Sequence, residues 1–369
     1  MNRRQFTLAV LTSSSAGLLG ASAVRVAAAQ AESINELYSR SIVVDSLCAP
    51  FADIEAPSAA SLAAVQRSGI TAINFTVSAP DFDETIFNLG VVYKLADHHS
   101  DVFLIVRRLA DLGRAKAEHR LGLILGFQNI EVMEQDPERI PTFRNLGVRI
   151  MQLTYNRRGK FGDGCLEPSD GGLRPAGRDA IRLMNDSGVA VDLSHSGYRT
   201  TADGIAHSDK PVLISHGGCA AVSAHPRNTP DDILKPLANR GGYFGIYLVP
   251  YLVASPTIPT REHVLNHLLH AINICGTDHV GIGSDGGIPT VVLTPEAQAM
   301  FERTMAHRKT AGVAAPGEDR YPYVPDLNGP DHMQVIADEL AKRGQPVATI
   351  EKVLGANFQR IIGEIWSSA

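Results

Sequence analysis

From Ser41 onward, eight short apolar runs alternate with stretches of helical spacing, and nearly every run ends on a polar or reactive side chain. The runs are SIVVDSL, TAINFTVS, LGLILGFQ, VRIMQLTY, VAVDLS, PVLISH, GGYFGIYLV and HVGIGSD. Each is rich in Val and Ile and bounded by Gly, Pro or polar residues, as strands buried on both faces of a parallel sheet are. Segments between them, such as GRDAIRLMNDSG and TREHVLNHLLHAINICG, have helical spacing. Eight such alternations in about 340 residues predict an α/β chain, a (β/α)8 TIM-type barrel in a single domain. A doubly wound open sheet is the alternative; no glycine-rich phosphate loop follows the first run, which argues against it.

A barrel of this kind keeps its chemistry at the carboxyl ends of its strands, where the βα loops emerge. The run-ending residues are Cys48, Ser78, Gln128, Tyr155 with Asn156, His195, His216, Tyr247 and Asp285. His195 and His216 end adjacent runs, five and six, so a closed barrel brings their imidazoles toward one ion. Asp285 ends run eight, where it can touch that ion or take a proton from water. Taken singly, a strand-end histidine is an ordinary structural residue and Asp285 an ordinary cap. Together on three runs of one rim they mark a site for a hydrolytic metal ion. His263, His267 and His270 share a helix face and read as packing residues of an amphipathic helix.

The 44% hydrophobic content supplies a sizeable core, and a net charge of −5 without any Lys/Arg run excludes nucleic acid as a partner. Residues 1–29 read as a twin-arginine export signal: Arg3 and Arg4, an apolar stretch from about Leu8 to Val24, then small residues offering cleavage near Ala29 or Ala31. The expected location is periplasmic or secreted. The apolar stretch is interrupted by Thr12, Ser13, Ser14 and Ser15, and no cysteine lies near the cleavage region, so no stable anchor is expected after signal removal. Residues 30–369 form the barrel. Cys48, Cys165, Cys219 and Cys275 show no paired spacing; Cys48 stands open as a zinc ligand or a packed thiol. A long stretch at about 286–330 is expected as a loop, serving as a lid, as a homodimer contact, or as a solvated excursion.

From about Val43 to Phe358 the chain resembles the membrane (renal) dipeptidase family of the amidohydrolase group. The resemblance is carried by VVDSL, LGVRIMQLTYN, GGLRPAGRDAIRLMNDSGVAVDLSH, PVLISH, HPRNTPDD, DHVGIGSD and VLGANFQRI. It implies a zinc hydrolase of dipeptides or similar small amides. It also implies that Arg227, in HPRNTPDD, holds the substrate carboxylate through its planar pair of donors, with Asn228 beside it.

The chain departs from the family pattern at four positions. Leu47 and Ala49 stand where the family has a His-x-Asp pair, Gln128 where it has a bridging glutamate, and Tyr155 where it has a histidine that contacts the substrate carbonyl. Two divalent ions about 3.5–4 Å apart need carboxylate charge between them, and these residues provide none. The expectation is therefore one zinc on His195 and His216, with Gln128, Asp285 or water completing its shell. Asp285 would act as general base and then acid, and Tyr155 would donate to a developing oxyanion. Two other readings stay open: a barrel that binds a small carboxylate without hydrolysing it, and a single-ion lyase or epimerase.

Overall fold

The computed structural model describes residues 34–134 and 136–366; the export segment expected at 1–29 lies outside them. Eight parallel strands follow one another in chain order: β1 Val44–Asp45, β2 Ala72–Thr76, β3 Leu121–Phe127, β4 Val148–Gln152, β5 Ala190–Asp192, β6 Leu213–Cys219, β7 Tyr243–Ile246 and β8 Val280–Ile282. The ring closes between the last strand and the first. The Ser46 amide donates to Ile282 O at 2.9 Å, and the Asp285 amide to Leu47 O at 2.8 Å. The result is the single-domain (β/α)8 architecture that the alternation predicts.

Two local readings change. The segment between the second and third runs, read as helical throughout, holds helices Phe82–His98 and Ala110–Ala117 with a strand, Phe103–Ile105, between them. That strand pairs with the lower half of β3, Phe103 to Leu121 through Ile105 to Leu123, while β4 joins β3 only from Leu125 onward. Its source is the apolar run VFLIV, whose branched side chains favour a strand over a helix. The stretch expected as a loop at 286–330 contains a helix, Pro295–Thr310. Thr294 caps it by accepting from the Ala297 amide at 3.2 Å, and proline opens its first turn. No residue of that helix is buried, so no apolar stripe announced it.

The barrel floor is apolar and its rim polar. Val44, Ala72, Ile124, Ile150, Ala190, Leu213 and Tyr243 form one buried cluster with the C-terminal helix Asn357–Trp366. Phe358, Ile361, Ile362 and Ile365 recur at i, i+3, i+4 and i+7, so that helix lays one stripe across the open bottom. Each such side chain contributes about 1.5–3 kcal/mol by leaving water. One layer higher the interior turns polar and tight. The Ser46 hydroxyl reaches the carbonyls of Ser215 and Ile282 at 2.6 and 2.9 Å. Gly245 has no space for a side chain there, because a Cβ would fall 2.0 Å from Ser215 O. The strands can therefore carry polar atoms upward through a close-packed interior to the mouth.

Candidate functional site

Helix Pro175–Ser187 shows how the sequence delivers the first histidine. Proline opens it, and Gly188 ends it in the left-handed region at φ 64°. The chain then turns at once into β5, and His195 emerges three residues beyond that strand. His195 itself has φ +61° and Asp285 φ +55°, two of the four non-glycine residues with positive φ among those described. That conformation is uncommon for side chains with a Cβ, and here it falls on two residues of the mouth.

The two imidazoles meet. His195 Nε2 lies 2.9 Å from His216 Nε2, and both rings are buried. Their outer nitrogens are held by partners that fix the tautomers. His195 Nδ1 is 2.6 Å from Asn156 Oδ1, and the Asn156 amide nitrogen donates to Val313 O at 2.8 Å, which leaves Oδ1 as the acceptor. His216 Nδ1 is 2.9 Å from the Ser215 hydroxyl, which donates its own proton to Asp192 Oδ2 at 2.5 Å. Both Nδ1 atoms thus carry the proton, and both Nε2 atoms present bare lone pairs to one point. Burial, with the Arg227 charge adding to it, holds both rings well below the ordinary histidine value, so they are neutral at pH 7.

Two facing lone pairs repel unless a cation or a proton lies between them, and this is the observation against which a metal can be tested. The donor set offers one ion two neutral imidazole nitrogens, a ligand type that zinc takes. It does not suit two ions. Among the described residues no group of three or more His, Cys, Asp and Glu gathers to hold a metal. Leu47 and Cys48 are buried apolar packing, and burial pushes the Cys48 thiol well up, away from the thiolate a metal needs. Gln128 uses its backbone: its amide faces the Thr76 and Ser78 hydroxyls at 3.1 and 3.2 Å, and its carbonyl accepts from the Gln152 side chain. No hydrogen bond among the described residues joins the Gln128 side chain to the histidine pair. Asp285 likewise makes no third ligand with them.

Asp285 is half-buried at the rim. Burial raises its carboxyl to about 6; Arg227 and Arg308 pull the value down, while Asp45 and Glu318 push it up. Arg227 is buried, and its Nη2 finds no hydrogen-bond partner among the described residues. Its guanidinium stands 5.9 Å from the centre of the Tyr247 ring. His195, Arg227 and Cys165 line one cavity of about 270 Å³. Asn228, expected to bind substrate, has both ends of its amide engaged: Oδ1 accepts from the Tyr247 hydroxyl, and Nδ2 faces Ser223 O and Tyr251 O at 2.7 and 3.1 Å. It anchors the loop that carries Arg227. Tyr155 stacks on His195, ring centres 4.2 Å apart and planes at 21°.

Several contributors went unread in the sequence. Asp192 is a charged residue inside an otherwise apolar run, which was a signal, and it collects the hydroxyls of Ser194 and Ser215 at 2.7 and 2.5 Å. Asn156 was seen only as a run end. Cys165 reaches the cavity because Gly164 passes close against the Tyr155–Arg157 backbone, where a Cβ would lie 1.8 Å from Tyr155 O. Arg308 arrives from the helix Pro295–Thr310. The helical histidines are structural: His267 takes the Cys219 amide at 2.8 Å, His270 pairs with Asp231, and His263 bonds the Thr260 hydroxyl and amide. All four cysteines are free.

Fold and rim together define a (β/α)8 barrel with two imidazoles, a carboxyl and a buried guanidinium at its carboxyl face. The comparison with known proteins agrees. Residues 31–306 match the membrane dipeptidase family (peptidase family M19), and the chain belongs to that family. An amidohydrolase of known structure from Pseudomonas aeruginosa is 30% identical and superposes with a TM-score of 0.80, over 90% of this chain and 99% of that one. The chain is also similar to dipeptidase verJ of Clonostachys rogersoniana, 29% identical over 285 residues, and to dipeptidase tcpJ of Claviceps purpurea, 26% identical over 286. Each match covers 76% of this chain but only 65% and 60% of those proteins.

Proposed function

We propose that this chain is an exported, dipeptidase-like amidohydrolase that cleaves a dipeptide or an N-acyl amino acid and uses one metal ion, zinc. Arg227 carries the reading. A buried guanidinium with an unpartnered nitrogen, in a cavity lined by His195, calls for an anion, because an unpaired buried charge is costly. A free carboxylate on a small substrate supplies that anion with two parallel hydrogen bonds.

Held there, the substrate's amide lies over the rim. His195 and His216 would hold the ion, with Asn156 and Ser215 fixing their tautomers from behind, as hydrogen-bond partners of metal histidines do. When bound, zinc supplies Lewis-acid chemistry, polarising a carbonyl and making water more acidic. Asp285, with a carboxyl near 6, takes a proton at neutral pH and can return it to the departing amine. Tyr155 donates to the oxygen on which charge develops.

The test is a panel of dipeptides and N-acyl amino acids of both chiralities, assayed with the purified chain as isolated, after chelation and after zinc addition. Hydrolysis of a carboxylate-bearing amide that disappears with chelator and returns with zinc supports the proposal. Ligand binding without turnover, unaffected by chelator, would refute it.

A further inference from the structure

Tyr155 stands at the rim as a phenol, which alone brings no positive charge there. The long segment after Asp285 brings one. Arg308, in the helix Pro295–Thr310, sets its Nη2 3.2 Å from the Tyr155 hydroxyl, with its guanidinium carbon 5.7 Å from the ring centre. Its Nε stands 2.6 Å from a Glu318 carboxylate oxygen, an ion pair without hydrogen-bond alignment. The segment between them is tied to the rim, where Asn156 donates to Val313 O and His225 bonds Pro316 O, each at 2.8 Å.

Counting protons gives the direction of the bond. A guanidinium has only donors, so the Tyr155 oxygen accepts from Arg308 and its own hydrogen must be given elsewhere. Among the described residues no acceptor takes that hydrogen. The ring cannot swing far, being stacked on the His195 imidazole. The free O–H therefore stays at the rim beside Arg308, whose cation on its oxygen strengthens it as a donor.

We infer that Arg308 is a positioning residue that acts through Tyr155, and that the two together supply a charge-assisted donor to the tetrahedral oxyanion. This inference rests on the hydrolase reading above. It adds that the segment at 295–318 completes the site: the barrel presents the phenol and that segment presents the charge.

The experiment uses the full chain loaded with zinc and the variants R308Q, R308K, Y155F and R308Q/Y155F. Two quantities are read: kcat and KM on the best dipeptide, and calorimetric affinity for a phosphinate dipeptide analogue against that for a planar N-acetyl amino acid. R308Q and Y155F should each lower kcat and phosphinate affinity by ~10²-fold, as loss of one oxyanion donor does. KM and affinity for the planar ligand should stay within about twofold, because neither group holds the ground state. The double variant should be no worse than either single one, and R308K should recover to within about tenfold of the parent, keeping charge but not the fork. Losses that multiply in the double variant, or an R308Q effect confined to KM or to thermal stability, overturn the inference. A parent chain that hydrolyses no amide yet loses phosphinate affinity in R308Q would sustain the pair and remove the hydrolase reading. An active parent indifferent to R308Q would do the reverse.

Discussion

His195 and His216 point bare Nε2 lone pairs at each other across 2.9 Å, and each ring has already committed its Nδ1 proton, one to Asn156 and the other to Ser215. Tautomers set from behind make the pair a ready-made two-nitrogen donor set, independent of the rest of the family's centre.

If Asn156 and Ser215 set those tautomers, removing them weakens the ion without touching a ligand. N156A and S215A should each lower zinc affinity by about 10–100-fold, the usual effect of losing the hydrogen-bond partner of a metal-binding histidine. Competition with a chelator of known affinity reads this directly. Unchanged affinity in both variants would show that the ring orientations are held by other means.

Arg227 should distinguish substrates by charge. R227A should raise KM for carboxylate-bearing dipeptides by about 10²-fold, the loss of a charge-assisted pair worth ~3 kcal/mol. It should leave the corresponding C-terminal amides, already poor substrates, nearly unaffected. R227K should restore little, since lysine lacks the planar fork. Equal losses on both substrate types would place Arg227 in the packing of the loop.

Asp285 gives the pH dependence a sign. With its carboxyl raised to about 6, it is protonated below that pH and cannot act as a base, so kcat/KM should fall as pH drops through 6. D285N should lower kcat by 10²–10⁴-fold, roughly the range for general base loss. Stability moves the other way. The folded carboxyl holds its proton more tightly than the unfolded one, so its favourable contribution is full below the unfolded value of about 3.9 and is lost as pH rises through 6. The melting temperature of D285N relative to the parent should therefore rise between pH 4 and pH 7.

The floor of the barrel offers a test of the fold alone. Phe358 is fully buried, edge-on to Tyr243 with ring centres 5.4 Å apart. F358A should cost about 3–5 kcal/mol in denaturant unfolding, as large-to-small changes in a rigid core do. Because the helix lies at the end away from the mouth, zinc affinity of the folded fraction should not change.

The sequence was most readable where one strand carried one message. Period, length and boundary residues exposed the eight runs, and the polar residues at their ends marked the rim before any coordinates. Legibility failed where a role depends on two distant segments. Nothing near Asn156 says that it will bond a histidine 39 residues away, and nothing in a helix without a buried residue says that Arg308 will reach Tyr155. The place of Gln128 at a strand end was legible in the same way as the other run ends; the contacts its backbone makes with Thr76, Ser78 and Gln152 were not. Burial too was hidden from the sequence: it pushes the Cys48 thiol away from thiolate, and the Asn228 amide is engaged by Tyr247, Ser223 and Tyr251.

Zinc stoichiometry of the purified chain, taken through chelation and reconstitution and repeated for H195A, H216A and D285N, tests the centre most directly. One zinc per chain in the parent and in D285N, with none retained by either histidine variant, is the predicted result. Two zincs per chain, or an ion kept after loss of His195, would contradict it.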